Sequence, residues 1–220
     1  MVDKKTKKSY STRTAKQFNR WRRLFQIMIC KIFYYLIFKI VYKMEVRGKE
    51  NIPKTNDYIV CPNHLSTLDP PLIVSIFPRG VAFMAKKELF DIKFLRWWID
   101  WLGAFSVNRE SLEPSTVKTI IGIKKSNWVL GMFPQGTRQK PGTIEEVSKG
   151  FAGLAKITKC AILPVGIIGT EKSRKIPFSG KIIVNIGEPI PYQDDLDKMV
   201  KDWANAIEKL TGYKYIPVET

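Results

Sequence analysis

The chain has 220 residues, with 37 Lys and Arg against 20 Asp and Glu, one histidine and three cysteines. With 45% hydrophobic residues, 12% aromatics and 14 glycines it is neither collagen-like nor globally disordered, and its length suits one domain plus an appendage. Cys30, Cys61 and Cys160 lie far apart with one histidine between them, which excludes a disulfide framework and a Cys/His zinc cluster and points to a reducing compartment.

The charge is uneven along the chain. Residues 1–49 hold 14 Lys and Arg against only Asp3 and Glu45, a net +12, which leaves +5 for the remainder. Such a leader attracts a polyanion, either nucleic acid or an anionic lipid surface. Leu24 to Tyr42 is almost continuously apolar but is broken by Gln26, Lys31 and Lys39. A spanning helix needs about 20 mostly apolar residues, and lysines inside one are costly, so spanning is disfavoured. Lys31, Tyr35, Lys39 and Lys43 recur every four residues and form one polar stripe opposite Phe33, Leu36, Ile37 and Ile40. This pattern favours an interfacial helix; packing on the protein's own core and a signal anchor are the alternatives. A cleaved signal peptide is disfavoured by the long charged region and the lack of a small-residue cleavage site. Residues 1–45 are therefore predicted as a basic, amphipathic, helical membrane-binding segment, peripheral on the cytoplasmic face of the cell membrane. Residues 46–220 follow as one catalytic-sized domain.

From Val46 onward short β-branched runs alternate with helix-like stretches, which predicts an α/β domain with a central sheet flanked by helices. Strands are expected near Tyr58–Cys61, Val81–Ala85, Phe105–Asn108, Trp128–Phe133, Ala161–Ile168 and Ile182–Ile186. Helices are expected from Pro70, Phe90, Pro114, Val147 and Asp194, several opened by a Pro or Asp suited to a first turn. Trp97, Trp98 and Trp101 suit either core packing or a second interfacial surface.

The one histidine, His64, follows the first of these strands, with Asp69 five residues later. Loops beyond the carboxyl ends of strands are where α/β sheets hold ligands. Residues five apart diverge on a regular helix, so the two side chains meet only if the loop curls back onto the helix start. If they do, Asp69 fixes the tautomer of His64, and the other ring nitrogen takes a proton from a hydroxyl. No GxSxG elbow is present, so the substrate's own hydroxyl is the favoured nucleophile, with Ser66 and Thr67 as lesser candidates.

These residues carry a family resemblance. Asn63-His64-Leu65-Ser66-Thr67-Leu68-Asp69 resembles the NHx4D block of the glycerolipid acyltransferases. Gly103-Ala104-Phe105-Ser106-Val107-Asn108-Arg109 resembles the second block, Phe133-Pro134-Gln135-Gly136-Thr137-Arg138 the third, and Leu163-Pro164-Val165 the fourth, in the family's order. The likeness is strongest to the short bacterial 1-acylglycerol-3-phosphate acyltransferases. It implies acyl transfer from a thioester on acyl carrier protein or coenzyme A to the sn-2 hydroxyl of lysophosphatidic acid, giving phosphatidic acid. No cofactor beyond that co-substrate and no metal is implied. His64 is then the base and Asp69 its partner. Arg109 and Arg138 hold the acceptor phosphate, as suits a guanidinium fork. Lys86 is a third phosphate candidate. Gly136 is expected to leave an amide free for phosphate or oxyanion, with Gln135 and Thr137 as positioning neighbours.

Gln135 departs from the family's usual glutamate, which removes any role that needs a negative charge there. An apolar tunnel or groove is expected beside the site. Two rival readings are weighed. A nucleic-acid binder is opposed by the nearly balanced body and by the lack of any recognition signature. An acyltransferase of the same superfamily acting on glycerol-3-phosphate or another lysophospholipid differs only in its acceptor.

Overall fold

The computed structural model describes residues 15–107, 114–171, 178 and 180–217. Among these, the strands are β1 (Glu45–Arg47), β2 (Tyr58–Pro62), β3 (Gly80–Lys86), β4 (Phe105–Val107), β5 (Trp128–Gly131), β6 (Thr143–Ile144), β7 (Ala161–Ile168), β8 (Ile183–Ile186) and β9 (Lys214–Tyr215). Seven of them form one sheet in the order β1-β8-β7-β2-β5-β3-β4; β6 and β9 form a separate parallel pair. Every pairing in the large sheet is parallel except β7 with β8. The α/β architecture with its flanked central sheet is therefore as the sequence predicts.

The central strand β2 is buried at all five residues, and its continuous apolar run is what a parallel strand covered on both faces requires. Its side chains alternate between two cores: Ile59 and Cys61 face one, Tyr58 and Val60 the other. The first core is closed by α5 (Pro114–Lys124), α6 (Gly150–Thr158) and α7 (Leu196–Thr211), with Trp128, Phe151 and Trp203 at its centre. The second is closed by α3 (Asp69–Ile76) and by the N-terminal segment. Helix α7 starts two residues after the expected Asp194, because Asp195 is the cap: its side chain accepts from the Lys198 N–H at 3.0 Å. Helix α4 (Lys93–Trp101) begins three residues later than Phe90, after a short 3-10 turn.

The N-terminal segment is helical from α1 (Arg20–Ile27) through a π-helical stretch, Met28–Tyr34, to α2 (Tyr35–Ile40). Asn19 opens it by accepting from the Arg22 N–H at 3.0 Å. Gln26, which the sequence presents as a break in an apolar run, is a buried anchor. Its Nε2 donates to the carbonyls of Val81 (2.8 Å) and Leu102 (2.7 Å), and its Oε1 accepts from the Val81 N–H (3.1 Å). Arg22 adds an ion pair to Asp100 at 2.9 Å. Cys30 and Phe38 enter the second core, while Trp21 (78% exposed), Ile32, Phe33, Leu36 and Ile40 stay open to solvent. One face thus packs on the domain and the other is an uncovered apolar surface; Ile37, expected on that surface, instead packs partly against the core. Among the described residues no helix is long and apolar enough to cross a membrane.

Candidate active site

The site is assembled where the carboxyl ends of parallel neighbours β2, β5 and β3 meet. Trp203 holds the end of β2 by donating its indole N–H to the Cys61 carbonyl at 2.8 Å. Asn63 then continues the strand's attachment through its side chain, accepting from the Ile167 N–H (2.6 Å) and donating to the Ile167 carbonyl (3.0 Å). His64 therefore leaves a fixed base.

The next five residues curl as the sequence argument requires. Asp69 is fully buried, and its Oδ2 accepts from the backbone N–H groups of Leu65 and Ser66, each at 2.7 Å, and lies 2.8 Å from His64 Nδ1. The two amides draw the carboxylate back over the loop, which is how residues five apart come into contact. Pro70 and Pro71 follow in the first turn of α3, where missing N–H groups cost nothing. A carboxylate can only accept, so His64 Nδ1 carries the proton and Nε2 is left as the acceptor. The imidazole stacks on Phe133 at 4.0 Å between centroids and 23° between planes, and Phe133 stacks in turn on Phe83 at 5.1 Å. A Cβ on Gly131 would stand 2.7 Å from that Phe83 ring, so glycine at the end of β5 makes room for the stack.

The third block wraps the other side of His64. Gln135 is buried and its Oε1 accepts from the His64 backbone N–H at 2.7 Å. Gly136 has φ +69°, a left-handed conformation that closes the turn. The expectation of a free Gly136 amide is corrected here: it donates to the Phe133 carbonyl at 2.9 Å, and the Thr137 amide donates to the Gln135 carbonyl at 2.7 Å. The turn itself thus uses the amides of Gly136 and Thr137. Thr137 and Arg138 are exposed at the edge of the cavity described next. Arg109 lies outside the described residues. Lys86 ends β3 opposite Val107, and its side chain lies outside them too.

A cavity of about 820 Å³ opens beside His64. Its wall is largely apolar: Val74 and Pro71 from α3, Phe83 and Met84 from β3, Trp98, Ile99 and Leu102 from the α4 region, and Cys30 and Tyr34 from the N-terminal segment. The helix that carries the exposed apolar face thus also lines the cavity. The π-helical stretch holds both Cys30 and Tyr34, a local geometry common near functional sites. Burial pushes the Cys30 thiol up to about 12, and raises those of Cys61 and Cys160. A thiol held protonated is a poor nucleophile. Iodoacetamide at mildly alkaline pH is accordingly expected to leave all three cysteines of the folded chain unmodified and to label all three in denaturant, read by intact mass. Rapid labelling of Cys30 in the folded chain would show an accessible thiolate. Among the described residues no group of three His, Cys, Asp or Glu side chains stands close enough to hold a metal ion.

Sequence and structural comparisons find similar proteins over most of the chain. The family model described as Acyltransferase matches residues 43–168, which include every residue of the four blocks. The 1-acyl-sn-glycerol-3-phosphate acyltransferase of Bacillus subtilis is 33% identical over 154 residues, 69% of this chain and 75% of that protein. The enzyme of the same name from Streptococcus pneumoniae is 30% identical over 204 residues, 90% of this chain and 75% of its own. The crystal structure of the 1-acyl-sn-glycerophosphate acyltransferase from Thermotoga maritima superposes with a TM-score of 0.64 at 29% identity, covering 84% of this chain and 78% of that one.

Proposed function

As the chain belongs to the acyltransferase family, we propose that it transfers an acyl group from a thioester to the sn-2 hydroxyl of 1-acyl-sn-glycerol-3-phosphate, forming phosphatidic acid. The observation that carries this reading is the His64–Asp69 pair at the edge of a cavity with an apolar wall, roomy enough for an acyl chain. His64 Nε2 takes the proton of the acceptor hydroxyl as its oxygen attacks the thioester carbonyl. Asp69 stabilises the imidazolium that results. The tetrahedral adduct then collapses, the C–S bond breaks, and the departing thiolate recovers the proton from His64. Arg138, with Arg109 and Lys86, binds the acceptor phosphate; a guanidinium keeps its charge at neutral pH and matches two phosphate oxygens. Acyl carrier protein or coenzyme A delivers the acyl group.

The substrates are lipids, and the N-terminal segment supplies the approach to them as a peripheral membrane contact. Its uncovered apolar face and its many basic residues suit an anionic leaflet on the cytoplasmic side. The paired substitution Ile32→Glu and Phe33→Glu places two charges on that face, away from the buried side, and is expected to lower co-sedimentation with anionic vesicles several-fold while thermal stability is preserved. Unchanged sedimentation would place the membrane contact elsewhere.

The function is tested by offering purified protein an acyl thioester with lysophosphatidic acid or with glycerol-3-phosphate, and identifying the lipid product by mass spectrometry. Phosphatidic acid from the first acceptor is the expected product. Acylation of glycerol-3-phosphate alone would move the chain to the other acceptor class within the family.

A further inference from the structure

We infer that Gln139 is a positioning residue for His64, and that it is the reason residue 135 is glutamine in this chain. The inference rests on the general-base role of His64. Residue 139 stands directly after the third block and carries none of the block's chemistry, yet its backbone N–H donates to the His64 carbonyl at 2.9 Å. Gln135 Oε1 takes the His64 N–H at 2.7 Å from the same loop. Both backbone polar groups of the histidine are thus held by one turn, and the two glutamine side chains join its ends: Gln135 Nε2 donates to Gln139 Oε1 at 2.6 Å.

The direction of this chain of bonds is fixed by backbone groups, which have no freedom to exchange donor for acceptor. The His64 N–H must meet an oxygen, so Gln135 faces Gln139 with its NH2 group. The Glu145 N–H meets Gln139 Oε1 at 3.2 Å, and Gln139 Nε2 donates to the Glu146 carbonyl at 3.0 Å. Gln139 therefore presents an oxygen to residue 135, and only a donor matches it. A glutamate at 135 still accepts from the His64 N–H, but its second oxygen then faces Gln139 Oε1, acceptor against acceptor in a buried position. Turning the Gln139 amide over does not help, since its NH2 would meet the Glu145 N–H and its oxygen the Glu146 carbonyl. The neutral residue at 135 is the complement of the one at 139.

The test is a double-mutant cycle on the full chain, with kcat and both KM values read for each protein. Gln135→Glu is expected to lower kcat about tenfold with both KM values little changed, the scale of an unpaired buried polar group. Gln139→Lys alone sets an ammonium against the Gln135 NH2 and is expected to lose a similar factor. The double variant restores a donor-to-acceptor match and is expected to return to within about threefold of wild type. Wild-type kcat in Gln135→Glu, losses that multiply in the double variant, or effects confined to KM would overturn the inference. A second readout is independent of turnover and of whether Gln135→Glu folds: hydrogen exchange at the His64 amide, expected to quicken about tenfold in Gln139→Leu. Unchanged exchange would overturn the inference as well. If wild-type protein acylates no lipid, the proposed function fails by itself and the exchange experiment still decides whether Gln139 positions His64.

Discussion

Replacing His64 by alanine is expected to lower kcat by about a thousandfold or more, with KM for donor and acceptor within a few-fold of wild type, since general-base catalysis contributes about 10²–10⁴ and no other histidine exists in the chain. The substitution leaves the loop a route to its fold. Asp69 keeps the Leu65 and Ser66 amides, and the His64 backbone keeps both bonds to the Gln135–Gln139 turn. Circular dichroism and a melting curve near wild type would establish that the loss is chemical. Retained turnover within tenfold of wild type would reassign the base.

Asp69→Asn is expected to lower kcat about a thousandfold for a different reason, the loss of the negative charge that stabilises the imidazolium, while its oxygen still accepts from His64 Nδ1. Its side-chain oxygen can still accept from Leu65 and Ser66, so the loop geometry survives. Its NH2 then replaces Asp69 Oδ1, a buried atom with no hydrogen-bond partner among the described residues, and adds a modest loss of stability. What disappears is the negative charge beside Nδ1 that steadies the imidazolium as the hydroxyl proton arrives. Asp69→Ala strips acceptors from three donors at once and is expected to lower stability markedly as well as activity. The comparison of kcat and melting temperature across Asn and Ala separates charge from scaffold. Asp69→Asn with near-wild-type kcat would reduce Asp69 to a loop staple.

Much of this was legible in the order of residues. The apolar runs of β2, β5 and β7 predict strands because a sheet covered on both faces tolerates little else, and the NHLSTLD loop falls after β2 because the run ends at Pro62. The His64–Asp69 contact was predictable as a condition, a loop that curls back; what fulfils it is a pair of backbone amides, which sequence does not display. Strand β1 is not legible in the sequence, because three residues with charged ends, Glu45 and Arg47, show no alternation. Gln26 was misread for a similar reason: a polar residue in an apolar run looks like an interruption until the fold brings Val81 and Leu102 to its side chain. At Gly136 the sequence marks a turn without telling which donors the turn uses. Gln139 gave no signal at all, since its importance lies in contacts with His64, 75 positions back along the chain.

The N-terminal segment has one face on the cavity and one open to solvent. Its buried side brings Cys30 and Tyr34 to the cavity wall, and its open side is apolar between basic residues. A lipid surface held against that open face lies against the same helix that lines the cavity. Under the proposed function, membrane contact and access of lipid to the site would be linked through this one element.

In the proposed reaction the acceptor's own hydroxyl, with its proton taken by His64, attacks the thioester without a covalent acyl-protein stage. This is tested by mixing the protein with acyl thioester in the absence of acceptor and following intact protein mass and thiol release. The expected result is an unmodified mass and no thiol until lysophosphatidic acid is added, whereupon thiol and phosphatidic acid appear together. An acylated protein formed at a rate matching turnover, with the adduct on Ser66, Thr67 or Cys30, would contradict it.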